Sequence, residues 1–271
     1  MCGRFTLDAP PDIVQQLFDF AAPPPSWEPE RTDRPRYNIA PTQPILVIRG
    51  GPEGRAGAWA RWGVTAAKQR LAINARSETV FERSAFRTAV RSRRVLVPAS
   101  GFLEWKVVGR RRRPRHIVPV DGGLLAFAGV VTESRTGDLG CAILTTRANS
   151  DVVPIHDRMP VILCPEQQAA WLDPDLESPY ALEPLFAPLA EGRLRLVPVS
   201  ERVNKVQHDD PDCLAPAEPE AEAAAEVAES ARHQRRPSRR TPRGADPRQL
   251  GFDFGVTLAP ARRIGERSEG E

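Results

Sequence analysis

The stretch RRVLVPAS at residues 93–100 is the strongest indication of the fold class of this chain. It is a short apolar run that ends in residues favoured in turns. Similar runs are PILVIRG (44–50), LLAFAGVV (124–131), CAILTT (141–146), MPVILCP (159–165) and RLRLVPVS (193–200). Apolar runs of about four to eight residues between Gly, Pro, Asn or Asp are typical of β-strands. The sequence therefore predicts a domain dominated by strands.

Helical patterns are fewer. They are PPDIVQQLFDF (10–20), TVFERSAFRTAV (79–90) and PEQQAAWLD (165–173). Strands and helices do not alternate regularly along the chain, which argues against a sheet built from parallel βαβ units. We predict an α+β fold: a single compact domain over residues 1–214, with a mixed, mostly antiparallel β core and a few helices.

The composition changes after Leu214, where an Ala/Glu-rich block is followed by an Arg/Pro/Ser-rich block. Neither block can bury a core, so residues 215–271 are predicted to be a disordered tail. The whole chain has 38 Lys and Arg against 35 Asp and Glu, a net charge of +3, which excludes a histone-like polycation. Neither a signal sequence nor a membrane-length apolar run is apparent, so we expect a cytoplasmic protein, associated with the nucleoid when bound to DNA.

The four cysteines show no CxxC spacing, and no glycine-rich nucleotide loop is present. We therefore expect no metal and no cofactor. Cys2 differs from the others because removal of Met1 would leave it with a free α-amine beside its thiol. Such an aminothiol has two chemistries. The amine can activate the thiol for amide hydrolysis, or the two groups can together capture an aldehyde as a thiazolidine.

Several motifs occur in a fixed order along the chain. They are MCGRF at the start, YNIAPTQ (37–43), RWG (61–63), INARSET (73–79), VPASGFLEWK (97–106), AFAGV (126–130), ILTTRAN (143–149), IHDRMPVIL (155–163) and VPVSERVN (197–204). Over residues 1–214 the chain thereby resembles the SRAP family (SOS-response-associated peptidase domain, abasic-site processing proteins). The resemblance implies a compact α+β fold that binds single-stranded DNA, with Cys2 linked covalently to the aldehyde of an abasic site.

The resemblance also implies catalytic roles for three further residues. Asn74 would orient the α-amine of Cys2 and the sugar. Glu104, which lies among large apolar residues, would act as general acid and base. His156 would contact the sugar hydroxyl or stabilise the imine. The alternatives are a turn asparagine, a buried structural carboxylate paired with an arginine, and a structural histidine.

DNA contacts are predicted for a second set of residues. Arg4, Arg76 and Arg158 are candidates for binding phosphates, because a guanidinium suits phosphate geometry. Asn38, Pro41 and Trp62 are expected to line the groove, although Trp62 is equally well suited to the core.

The tail contains QLGFDF at 249–254, an apolar cluster that resembles the clamp-binding peptides of bacterial replication and repair proteins. The sequence therefore predicts a covalent trap for abasic sites in single-stranded DNA. We expect this protein to be a monomer and its tail to dock on a sliding clamp. Two alternatives stay open: an N-terminal-nucleophile peptidase, and a non-enzymatic module that binds modified DNA.

Overall fold

A computed structural model describes residues 2–217, except 24, 27, 67–69, 109–110 and 135–136. From residue 218 onward the predicted tail lies outside the described residues, and so does the predicted clamp-binding peptide at 249–254. Residues 215–217 belong to the folded part. The N–H of Ser200 donates to the carbonyl of Ala215 at 2.9 Å, and Val199 pairs with Pro216. The fold therefore continues at least three residues past the predicted boundary at 214.

The predicted strands are confirmed. In chain order the strands are β1 (Phe5–Leu7), β2 (Arg36–Ile39), β3 (Pro44–Gly51), β4 (Gly54–Trp62), β5 (Val64–Ala66), β6 (Arg70–Ala72), β7 (Asn74–Arg76), β8 (Arg94–Ala99), β9 (Gly101–Val108), β10 (Arg111–Pro119), β11 (Leu125–Glu133), β12 (Leu139–Arg147), β13 (Arg158–Pro160) and β14 (Leu194–Pro198). Each apolar run quoted above coincides with a strand. The run at 159–165 leaves its strand early, after Pro160.

The helices are short. They are α1 (Pro11–Phe18), α2 (Pro29–Thr32), α3 (Ala89–Ser92), α4 (Pro165–Leu172) and α5 (Pro179–Leu182). Helices α1 and α4 confirm two of the three predicted helices, and each begins with a proline, whose fixed φ suits the first helical turn. Helix α1 packs against the domain through Val14 and Phe18, which are buried.

The helix predicted over 79–90 is wrong for most of its length. A 3₁₀ turn covers Ser77–Thr79, further turns follow, and only α3 is helical. The apolar spacing still indicates burial correctly, since Val80 and Phe86 lie in the core. Ser84 and Thr88 interrupt this segment, and side chains of their type favour local turns over a continuous helix.

Two sheets carry the fold. The first has the order β14-β10-β9-β1-β2 and the second the order β11-β8-β3-β4-β12-β13, with β7 also paired to β12. Because β11 pairs with β12 as well, part of the second sheet closes into a ring. Most pairs are antiparallel, whereas β12 runs parallel to β4 and β7. The predicted α+β class with a mostly antiparallel, mixed β core is confirmed.

An aromatic cluster joins the two sheets. Phe5 of β1 lies edge-on to Trp62 of β4, with ring centroids 5.1 Å apart, and to Phe127 of β11 at 6.0 Å. Phe102 of β9 lies 6.1 Å from the same Phe127 ring. All four rings are completely buried or nearly so, and Cys2 belongs to the same cluster. The cluster therefore holds the N-terminal segment at the junction of the two sheets.

Candidate functional site around Cys2

Cys2 lies just before β1, and its side chain is completely buried. The backbone beyond it is fixed because the N–H of Leu103 in β9 donates to the carbonyl of Arg4 at 2.9 Å. Burial raises the pKa of the Cys2 thiol well above its usual range, and the negative charge of Glu104 raises it further. The thiol is therefore held in its neutral form, and a base must take its proton before sulfur can react.

Asn74 is in direct contact with Cys2. It opens β7, which pairs with β12 through Ile143, and its Nδ2 donates to the Cys2 carbonyl at 2.8 Å. The Asn74 Oδ1 is buried, and it has no hydrogen-bond partner among the described residues. One end of this amide therefore anchors the Cys2 backbone, while the other end can accept a hydrogen bond from an amine or a hydroxyl group.

Glu104 projects from the middle of β9 and is 4% exposed. It follows Phe102 at the alternate position, so both side chains lie on the same face of the sheet. That face carries the aromatic cluster and Cys2, which explains why the charge of Glu104 acts on the thiol. The structure thus brings together three of the four predicted catalytic residues: Cys2, Asn74 and Glu104.

His156 lies in the loop before β13 and is partly exposed. Its Nδ1 lies 2.9 Å from the backbone N of Arg158 and also 2.9 Å from Oδ1 of Asp157. A backbone N–H can only donate, so Nδ1 is the acceptor in the first contact. The hydrogen bond from the Arg158 N–H orients the ring locally, and the catalytic role of His156 stays a prediction.

Arg4 and Arg76 differ in how available they are to a phosphate. The Nη1 of Arg4 donates to Asn38 Oδ1 at 2.5 Å and to the Val203 carbonyl at 3.0 Å, and its guanidinium lies 5.7 Å from the Trp105 ring centroid. Burial lowers the pKa of Arg4. Arg76 is exposed and lies two positions after Asn74 in β7, on the same side of the strand. Arg76 is therefore the more accessible cation next to the site.

The structure corrects two predictions about the groove. Trp62 is completely buried, and its Nε1 donates to the Ile73 carbonyl at 3.0 Å, so it is a core residue and cannot stack on a base. Asn38 is equally buried, and its Nδ2 donates to the carbonyl of His208 at 2.6 Å. Its role is to fasten the C-terminal part of the fold to β2. Pro41 is half-buried, and its place in a groove stays a prediction.

Arg158 forms a bidentate ion pair. Its Nη1 and Nη2 donate to the two carboxylate oxygens of Glu78 at 2.5 and 2.9 Å, and Nη2 also reaches the Thr145 carbonyl at 2.5 Å. The Arg158 side chain is 9% exposed, whereas that of Glu78 is 48% exposed. A phosphate would have to displace Glu78 to reach this guanidinium, so phosphate binding by Arg158 stays a prediction.

Sequence analysis did not identify Asp209, which organises one side of the site. Its carboxylate accepts hydrogen bonds from Arg36 Nε at 2.5 Å, from the Tyr37 N–H at 2.7 Å and from the Asn38 N–H at 2.9 Å. Asn38 in turn holds Arg4. Nothing in the surrounding HDDPD (208–212) distinguishes this carboxylate from the exposed acidic residues beside it.

The profile of the SOS response associated peptidase (SRAP) family matches residues 1–206. The chain belongs to the SRAP family. The abasic site processing protein YoqW of Bacillus subtilis is 35% identical to this SRAP chain, and the match covers 79% of this chain and 99% of YoqW. The abasic site processing protein YedK of Escherichia coli is 29% identical, over 80% of this chain and all of YedK.

The fold of this SRAP chain is also similar to solved structures. A crystal structure of a protein from Bacteroides thetaiotaomicron matches with a TM-score of 0.70, covering 80% of this chain and all of the other at 22% identity. That likeness concerns the fold. Over the residues that the structure describes, no helix is long and apolar enough to cross a membrane, and no group of three His, Cys, Asp or Glu side chains is placed to hold a metal ion.

Proposed function

We propose that this SRAP chain recognises abasic sites in single-stranded DNA and traps them covalently through Cys2 after Met1 has been removed. The observation that carries the proposal is the contact of Cys2 with Asn74 on one side and its electrostatic coupling to Glu104 on the other. An N-terminal cysteine between an amide and a carboxylate has the groups that thiazolidine formation needs. The names of the relatives YoqW and YedK agree with such a substrate.

The reaction would begin at the open-chain aldehyde of the abasic sugar. The α-amine of Cys2 adds to the carbonyl carbon and forms a carbinolamine, and loss of its hydroxyl group as water leaves an imine. We assign the orientation of the amine to Asn74, whose buried Oδ1 can accept one of its N–H groups. Glu104 would take the proton that nitrogen loses in this step and give it to the departing hydroxyl.

Ring closure would follow at the same carbon. The sulfur of Cys2 adds to the imine carbon, and Glu104 takes the thiol proton and passes it to the imine nitrogen. The balance is one aldehyde and one aminothiol converted into one thiazolidine and one water. A neutral, buried thiol suits this step because the imine carbon is already electrophilic and the base is adjacent.

Cations beside the site would hold the strand. Arg76 is exposed next to Asn74, and Arg4 lies on the N-terminal side of β1. Guanidinium groups bind phosphates without reading bases, so the proposed recognition depends on the lesion and the backbone rather than on sequence.

A denaturing gel tests the proposal. A single-stranded oligonucleotide with one abasic site is mixed with the protein, and an oligonucleotide with a tetrahydrofuran analogue, which cannot open to an aldehyde, is the control. We expect a heat-stable adduct only with the true abasic site. Cys2→Ala should abolish it, Cys2→Ser should give only an adduct trapped by borohydride, and Cys164→Ala should leave it unchanged. A wild-type protein that forms no stable adduct would contradict the proposal.

The same experiment separates the peptidase alternative. An N-terminal-nucleophile peptidase would turn over a peptide substrate without DNA and would form no adduct with the abasic oligonucleotide.

We also propose that residues 249–254 dock on a sliding clamp and that the chain is a monomer. The support is the sequence alone, in which Gln249 precedes the apolar residues Leu250, Phe252 and Phe254 within a polar tail. A peptide of residues 245–258 should bind a bacterial clamp, and no binding at high micromolar concentration would contradict this part of the proposal. Sedimentation velocity measures the mass of the protein in solution, and we expect the mass of one chain.

A further inference from the structure

The charge that faces Glu104 within its own sheet is Arg115. Strands β9 and β10 are antiparallel, and their register places Glu104 directly opposite Arg115. Directly opposed residues project to the same face, with Cβ atoms about 4.5–5.5 Å apart. Both residues are almost completely buried, at 4% and 6% exposure. The hairpin therefore sets the Arg115 side chain beside that of Glu104 on the Cys2 side of the sheet.

On this face of the hairpin, the residues change from apolar to cationic at the pair Glu104 and Arg115. One step inward along the hairpin, Phe102 is opposite Ile117, and both belong to the buried cluster around Cys2. One step outward, Lys106 is opposite Arg113, and both are only partly buried. Glu104 and Arg115 thus form the boundary between the apolar core and a cationic outer surface.

Burial makes a nearby cation important to Glu104. A carboxylate removed from water keeps its charge only when a cation and hydrogen bonds compensate for the lost hydration. Arginine suits this task because its planar guanidinium remains charged when it is buried. The Nη1 of Arg115 also donates to the Pro114 carbonyl at 3.2 Å, which restrains the guanidinium against its own strand.

We propose that Arg115 is a positioning residue for the trapping reaction: it keeps Glu104 ionised and directed at Cys2, so that Glu104 can take the thiol proton. This inference rests on the proposed function for its consequence, but the pairing itself is independent of DNA. Among the described residues, the other titratable or charged groups on this face of the hairpin and the N-terminal segment are Cys2, Lys106 from β9, and Arg111 and Arg113 from β10. Arg113 forms an ion pair with Glu201.

Two readouts on the same variants test the pairing and its consequence separately. The first is the titration of the Glu104 carboxyl carbon by NMR in protein labelled at glutamate, assigned by its loss in Glu104→Gln. The second is the rate of adduct formation with the abasic oligonucleotide between pH 5 and pH 9. The variants are Arg115→Gln, Arg115→Lys and, as the matched control, Arg112→Gln, which removes an exposed cation from the opposite face of β10.

We expect Arg115→Gln to move the Glu104 titration upward by at least about one pH unit, because the buried carboxylate loses its opposite charge. Its adduct rate should fall at least tenfold near neutral pH and recover as the pH rises. Arg115→Lys should retain most of the rate, and Arg112→Gln should resemble the wild type in both readouts.

A Glu104 titration that is unchanged in Arg115→Gln would overturn the inference, whether or not an adduct forms. So would an adduct rate lowered equally at every pH and not restored by Arg115→Lys, because that result indicates a general structural defect. If the titration moves as expected but the wild-type protein forms no adduct, the pairing stands and the proposed function is the part that fails.

Discussion

The side-chain amide of Asn74 holds the backbone of Cys2 through a hydrogen bond of 2.8 Å from Nδ2 to the Cys2 carbonyl. This bond connects the second sheet to the segment before β1, so the position of the nucleophile depends on a residue 72 positions away. It therefore restricts where the α-amine and the thiol of Cys2 can lie.

Substituting Asn74 with Asp tests this role. The carboxylate cannot donate to the Cys2 carbonyl, and it places negative charge against that oxygen. A hydrogen bond of this kind contributes about 1 kcal/mol, and the repulsion adds to the loss. We expect the adduct rate to fall about tenfold or more, measured by quenched time points on denaturing gels. An unchanged rate in a folded Asn74→Asp protein would remove Asn74 from the mechanism.

Arg76 should contribute to DNA affinity without contributing to stability. It is exposed beside Asn74, so Arg76→Gln should weaken binding to single-stranded DNA at low salt. Loss of one phosphate contact should reduce the slope of log affinity against log salt by about 0.7. Fluorescence anisotropy at several salt concentrations measures this slope. Arg49→Gln removes another exposed arginine, from the far end of β3, and should leave it unchanged.

Asp209 should be essential for stability. Asp209→Asn leaves the buried Arg36 guanidinium without its opposite charge, and breaking a buried ion pair costs about 3–5 kcal/mol. We expect a loss near the lower end of this range in urea denaturation, because Asn can still accept hydrogen bonds from the Tyr37 and Asn38 backbones.

The neighbouring Asp210 provides the control for this prediction. It pairs with Arg202 at the surface, where solvent screens the interaction, and Asp210→Asn should change stability little. Equal effects of the two substitutions would show that Asp209 has no special structural role.

His116 should make the fold sensitive to acid. Burial lowers its pKa from 6.5 to about 4, and its Nε2 lies 3.0 Å from Thr6 Oγ1. Between pH 6.5 and about pH 4, the His116 imidazole is therefore protonated in the unfolded chain but not in the folded chain. The stability that this group contributes is complete above about pH 6.5 and is lost as the pH falls towards about 4.

The gap between the two pKa values of His116 corresponds to about 3 kcal/mol. Urea denaturation at pH 7.5, 5.5 and 4.5 should show a smaller decrease in His116→Gln than in the wild type. Parallel pH dependences in the two proteins would show that His116 does not titrate in this way.

The strands that local sequence patterns predicted are those that contain a short apolar run between turn residues, whereas a strand such as β7 has no such run. These patterns were misleading at residues 79–90, where the spacing of Val80 and Phe86 reports burial but the backbone forms turns. The sequence alone could not show whether Trp62 is buried in the core or exposed in a groove, because the motif RWG is compatible with either position. Its position against Phe5 depends on how the two sheets pack.

The candidate site was predicted by resemblance rather than by local pattern. Cys2, Asn74 and Glu104 come from separate parts of the chain, and only the order of the strands brings them together. The pairing of Glu104 with Arg115 depends on the register of the hairpin, and that of Arg36 with Asp209 on the path of the C-terminal segment. Neither register nor path is encoded in the residues next to these side chains.

The intact mass of the purified adduct between the wild-type protein and an abasic oligonucleotide tests the central claim most directly. A thiazolidine at Cys2 predicts the mass of the chain without Met1 plus that of the oligonucleotide, minus one water, and digestion should place the modification on the N-terminal peptide. An adduct that retains Met1, that maps to a lysine, or that forms equally in Cys2→Ala would contradict the account.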